Sequence, residues 1–178
     1  MRNLVVTEFI SLDGVIENPG WTFKYWNDEI AAFKGEETSN SDALLLGRVT
    51  YDGFSQAWPN SPDEGAPYFN NVKKYVVSNT LTNPEWNNTS VISDNVVEQI
   101  KQLKQQDGTN ITVHGSGKLA QFLIANGLVD QLRLLVYPVV IGKGQRLFEN
   151  GPEVAFNLIE TRTLNGGVVA MIYGPENA

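Results

Sequence analysis

The chain has 178 residues, a size that one domain commonly fills and that buries roughly two-thirds of the unfolded surface. Hydrophobic residues make up 42% and charged residues 19%, which excludes disorder and fibrous architectures. A formal net charge of -7 opposes the positive field that nucleic-acid binding requires, and the absence of cysteine excludes disulfides, thiolate metal sites and a cysteine nucleophile.

The amino terminus passes into a strand-like run without the basic and apolar regions of a signal peptide. No apolar segment approaches the ~20 residues needed to cross a bilayer. A cytoplasmic protein of one domain, spanning 1–178, with no membrane or nucleic-acid partner is the expectation.

Leu4 to Ile10 reads as a buried strand, and Ser11-Leu12-Asp13-Gly14 turns into a loop rich in Gly, Pro and aromatics that runs to about Asn27. Asn27 or Asp28 can cap a helix with Ile30, Ala31 and Phe33 on its apolar face, ending near Ser39-Asn40-Ser41. A strand follows at Ala43 to Leu46, and Gly47-Arg48-Val49-Thr50 links it to a short helix carrying Tyr51, Phe54 and Trp58, stopped by Pro59. Pro59 to Pro67 reads as a surface loop.

Tyr75-Val76-Val77 and Ser90-Val91-Ile92 are short strands, and Asn95 to Gln106 carries helical spacing. Asn110 to His114 is a strand. Gly115-Ser116-Gly117 then opens a helix with Leu119, Phe122 and Leu123 on one face, ended by Gly127. Gln131 to Val140, Phe156 to Leu164 and Val168 to Tyr173 are strands, the last two joined by Asn165-Gly166-Gly167. Alternating strands and helices before a terminal hairpin predict an α/β fold: three layers, α/β/α, around a mixed, mostly parallel sheet.

Two junctions carry chemistry. Leu46-Gly47-Arg48-Val49-Thr50 feeds a buried strand through a glycine into a helix amino terminus, where unpaired N–H groups and the helix dipole favour an anion. Arg48 adds a permanent charge and Thr50 a hydroxyl; a plain turn with a solvated Arg48 is an equal alternative. His114-Gly115-Ser116-Gly117-Lys118-Leu119 repeats the design, its glycines allowing close backbone approach to a ligand. The spacing also fits a loose Rossmann fingerprint, but that fold places the turn after its first strand and an acidic residue at the end of the next, and here the next strand runs into Pro138.

Ser78 and Asn79 end a third strand. Ligands lie beyond the carboxyl ends of parallel strands, so the ends at Gly47, Ser78 and Gly115 are candidates for one groove suited to a dinucleotide, although Ser78 and Asn79 also suit a simple turn. His114 is the lone histidine, and without cysteine it anchors no familiar zinc site, so no metal is expected. Asp13 and Glu29 are the carboxylates nearest the aromatic loop of Trp21, Phe23, Tyr25 and Trp26; Asp13 equally suits a turn cap and Glu29 a first helical turn.

In their order these motifs resemble the dihydrofolate-reductase superfamily over nearly the whole chain. Ser11-Leu12-Asp13-Gly14, Leu45-Leu46-Gly47-Arg48-Val49-Thr50-Tyr51 and Pro138-Val139-Val140-Ile141-Gly142 are more similar to the reductase domain of riboflavin biosynthesis, the RibD carboxy-terminal domain, than to folate enzymes. The resemblance implies NADPH as cofactor, with Gly47, Arg48 and Thr50 at its phosphates, Ser78 and Asn79 toward adenosine, and Gly115, Ser116, Gly117, Lys118 and Leu119 beside the pyrophosphate and nicotinamide. It implies substrate contacts at Asp13, Trp21 and Tyr51, a homodimer, and reduction of a pterin-like or ribosylaminopyrimidine substrate. Glu29 matches the acidic position of folate enzymes. His114 stands where riboflavin reductases carry glutamate and Ser116 replaces a glycine, which leaves Glu29 and His114 as rival proton-handling residues. A non-catalytic nucleotide- or pterin-binding protein of the same fold is the alternative.

Overall fold

The computed structural model describes residues 1–149 and 151–176. Its centre is an eight-stranded sheet formed by β1 (Asn3–Ser11), β2 (Ser41–Gly47), β3 (Lys73–Val77), β4 (Thr89–Ile92), β5 (Asn110–His114), β6 (Gln131–Tyr137), β7 (Phe156–Leu164) and β8 (Val168–Pro175), in the order β4-β3-β2-β5-β1-β6-β8-β7. The first six strands are parallel where they pair, while β8 runs antiparallel to β6 and β7. This is the mixed α/β architecture that the pattern predicts.

Among the described residues, five α-helices cover the sheet: α1 (Asp28–Ser39), α2 (Arg48–Ala57), α3 (Ala66–Asn71), α4 (Val96–Gln105) and α5 (Gly117–Ala125). Strand side chains alternate between faces. Leu4, Val6 and Ile10 of β1 pack with Ile100 and Leu103 of α4 and with Leu119, Ala120 and Leu123 of α5. On the other face Leu135 and Tyr137 pack with Ile30 and Phe33 of α1, and Leu44, Leu46 and Val76 with Tyr51 of α2 and Phe69 of α3. Three layers result.

Several expectations shift. The strand expected to reach Val140 stops at Tyr137, because Pro138 has no N–H and the chain turns there, Val139 donating to the Tyr137 carbonyl at 2.8 Å. Phe122 is half-exposed rather than on the buried stripe of α5, which runs through Leu119, Ala120, Leu123 and Ile124. The loop before β3 contains α3, a helix with Pro67 in its first turn. Among the described residues no helix is long and apolar enough to cross a membrane.

Candidate active site

The two glycine junctions meet at the carboxyl ends of the central strands. Gly47 is the amino-terminal cap residue of α2 and Ser116 that of α5, and neither helix has a side-chain cap. Ser116 is left-handed, with φ 72°, and its hydroxyl faces the other junction. Its Oγ accepts the Gly47 N–H at 2.8 Å and donates to Thr50 Oγ1 at 2.7 Å. Two helix amino termini with unpaired N–H groups are thereby clamped side by side, which concentrates positive potential at one place.

Gly115, at φ +70, keeps that place open, since a Cβ there would meet nothing nearer than Thr50 Oγ1 at 3.8 Å. Gly117 also serves the fold. A Cβ on Gly117 would collide with Ile16 Cδ1 and come within 3.0 Å of Gln145 Nε2, so this glycine makes room for the chain's own loop as well as for any ligand. Lys118 is exposed and Leu119 buried.

Arg48 is half-exposed and held by Asp52, whose two carboxylate oxygens accept from Nε at 2.8 and 2.9 Å. One guanidinium amino group reaches Thr80 Oγ1 at 3.1 Å, tying α2 to the end of β3. There Ser78 is buried, with Oγ accepting the Thr80 and Leu81 N–H groups, whereas Asn79 is exposed. Gly47, Thr50, Gly115 and Ser116 are thus brought together, Arg48 follows Gly47 at the start of α2, and Thr80 links Arg48 to Ser78, while Asn79 makes no side-chain hydrogen bond to them. An exposed guanidinium edge, two uncapped helix ends and an open glycine turn fit a diphosphate-bearing nucleotide.

The two proton candidates are not joined by any hydrogen bond. Glu29 is exposed at the start of α1, and its Oε2 accepts the Asn165 N–H at 2.7 Å, latching the helix to the β7–β8 hairpin. His114 is buried at the end of β5, edge-on to Phe69 at 5.4 Å, and its Nε2 has no hydrogen-bond partner. Burial, with a smaller contribution from Lys34, holds its pKa well below the ordinary histidine value, so the imidazole is neutral.

Asp13 is occupied within the fold. Its carboxylate accepts the Ser11 hydroxyl at 2.7 Å and the N–H groups of Ile141 and Gly142 at 3.0 and 2.8 Å, which lowers its pKa to about 2. It clamps the loop after β1 to the segment after β6. Tyr51 is buried, and its hydroxyl accepts the Trp86 N–H at 3.3 Å. Both residues were expected at the substrate; their polar atoms are engaged in internal contacts that fix loops. Trp21 is half-buried. It stands edge-on to Tyr137 at 5.5 Å, as Phe9 does at 5.7 Å and Tyr25 at 5.6 Å, and the Tyr137 hydroxyl is buried without a partner.

Two buried groups escaped the sequence reading. Glu37 accepts from Thr7 Oγ1 at 3.0 Å and pairs with Lys34, with Arg133 3.9 Å away. Glu8 is 5% exposed on β1, and burial lifts its carboxyl to about 8 despite the opposing charge of Lys34. The available signal was an acidic residue inside the apolar run Leu4 to Ile10.

Residues 2–170 match the family model described as the RibD C-terminal domain. The uncharacterized protein YyaP of Bacillus subtilis (strain 168) is 29% identical over 178 residues, covering 97% of this chain and 94% of the relative. The deaminase/5-amino-6-(5-phosphoribosylamino)uracil reductase of Thermotoga maritima superposes with a TM-score of 0.72 at 17% identity, over 98% of this chain and 56% of that one. Dihydrofolate reductase from Enterococcus faecalis, complexed with NADP(H), superposes with a TM-score of 0.65 at 16% identity, over 98% and 97% of the two chains. With an eight-stranded sheet of this topology and a family match spanning nearly its full length, the chain belongs to the RibD C-terminal domain family.

Proposed function

We propose that the chain is an NADPH-dependent reductase acting on a small planar heterocycle, pterin-like or a ribosylaminopyrimidine. The observation that carries this reading is the contact of two uncapped helix amino termini through Ser116, a site for the diphosphate of a dinucleotide. Gly47, Thr50, Gly115, Ser116, Gly117, Lys118 and Leu119 surround the phosphates, while Arg48, Ser78 and Asn79 face the adenosine side. When bound, NADPH supplies the hydride. The chain orients the substrate against the rings of Trp21 and Tyr25, and Glu29 or His114 handles the accompanying proton.

A protein that binds the nucleotide without turnover is the second reading, favoured by the engagement of Glu29 with Asn165 and the lack of any hydrogen bond between Glu29 and His114. Titration with NADPH and NADH, beside NADPH oxidation in the presence of pterins and pyrimidines, separates the two. We expect tighter binding of NADPH than NADH, and Arg48→Ala should cost about 1–3 kcal/mol of NADPH affinity while affecting NADH less. Equal affinity for the two cofactors would remove the 2′-phosphate from the Arg48 side. Binding without oxidation of NADPH by any member of the panel would favour the second reading.

A further inference from the structure

Glu8 is the acidic residue of β1, and its place follows from register. Leu4, Val6 and Ile10 pack with α5, so strand alternation turns Glu8 toward the same face. Thr7 pairs with His114, the last residue of β5, and the Thr7 carbonyl accepts the Gly115 N–H at 3.3 Å. Glu8 therefore stands level with the first residue of the turn from which α5 starts. Its partner on β6 is the buried Leu134. Oε1 has no hydrogen-bond partner. Val6 and Ile10, two residues away on the same face, are apolar, so packing alone gives no reason for a carboxyl here.

We propose that Glu8 recognises the carboxamide of the bound nicotinamide, at the end of the cofactor that reaches the Gly115–Gly117 turn. This deepens the NADPH reading and depends on it. Protonated, a carboxyl offers one O–H donor and one carbonyl acceptor, and a primary carboxamide offers the complementary acceptor and donor. The two can close a pair of parallel hydrogen bonds, which an ionised Glu8 cannot. Burial keeps Glu8 protonated up to about pH 8. Of the charged groups nearby, Lys34 of α1 acts across the sheet, Glu37 and Arg133 belong to the Thr7 side, His114 of β5 is neutral, and Lys118 at the start of α5 is exposed.

The test titrates NADPH and 2′-phosphoadenosine diphosphoribose, which lacks the nicotinamide, by calorimetry against the wild type, Glu8→Gln and Glu8→Leu. Glu8→Leu should weaken NADPH by about tenfold or more and leave the fragment within about threefold. Glu8→Gln keeps a donor and an acceptor, so it should stay close to wild type at neutral pH and lose the decline in NADPH affinity that the wild type shows as pH passes about 8. Wild-type NADPH affinity in Glu8→Leu, or equal weakening of both ligands, overturns the proposal. Should Glu8→Leu fail to fold, a wild-type affinity that does not change between about pH 7 and about pH 9 overturns it instead. A wild type that binds the fragment as tightly as NADPH overturns it while leaving the nucleotide site standing. A wild type that binds neither removes the reductase reading and this proposal with it.

Discussion

Burial holds Glu8 and His114 in their neutral forms, and the two act on folding stability in opposite directions. Glu8 has its carboxyl raised to about 8 in the folded chain, against 4.5 for the free group, so the folded state retains a proton that the unfolded state has lost. Its contribution is fully present below about pH 4.5 and is lost as pH rises toward about 8, at about 1.4 kcal/mol per pH unit. His114 has its pKa lowered from 6.5, so its contribution is present above that value and is lost as the medium becomes more acidic. Urea midpoints across pH should therefore fall on the alkaline side in the wild type and stay level in Glu8→Gln; parallel curves would show that Glu8 is ionised when folded. Neither group could be weighed from sequence, because the burial of a lone charge depends on what covers its face of the sheet. Lys74 makes the same point: its neighbour Lys73 is exposed, yet Lys74 is fully buried, with Nζ donating to the carbonyls of Asn70, Val72 and Asn87.

At the scale of elements, the amino terminus of α1 is fastened twice. Asn27 Oδ1 accepts the N–H groups of Glu29 and Ile30, at 3.0 and 3.1 Å, while its Nδ2 donates to the carbonyls of Tyr25 and Asn165. Asn27→Ala should cost about 1 kcal/mol through the lost cap, and Asn27→Ser, which keeps an acceptor for the helix but loses the donor, should fall between the two in thermal unfolding. An alanine variant that melts with the wild type would show that Glu29 and Asn165 suffice to hold the helix. The cap, the hairpin at Asn165-Gly166-Gly167 and both glycine junctions were legible because short-range chemistry fixes them. The helix α3 was not, since six residues containing Pro67, Asn70 and Asn71 carry no helical period, and their helix is held by Phe69 packing on Trp58, with centroids 4.0 Å apart. Asp13 could be read as a turn residue, but its bonds to Ile141 and Gly142 span 128 and 129 positions, beyond any local pattern.

For the whole molecule, the edge strand β7 leaves Leu158 and Ile159 exposed, and Phe148 and Val154, which precede it in sequence, are exposed as well. β6 lies between β1 and β8 and has no free edge, so the exposed apolar residues of β7 are the place where the expected homodimer is tested. Sedimentation should give a mass near twice 19.7 kDa, and Ile159→Lys should lower it; a concentration-independent 19.7 kDa would leave this edge unpaired in solution. The sheet order also shapes how the chain is made. β1, the first strand, lies between β5 and β6, so Val5 pairs with Thr112 on one side and Gln131 on the other. During synthesis, β1 finds neither neighbour until the chain has been extended as far as Asn110–His114 and Gln131–Tyr137. The centre of the sheet thus closes late, through contacts of high sequence separation, which slows folding and leaves the apolar run Leu4 to Ile10 without its strand partners while the intervening chain is translated.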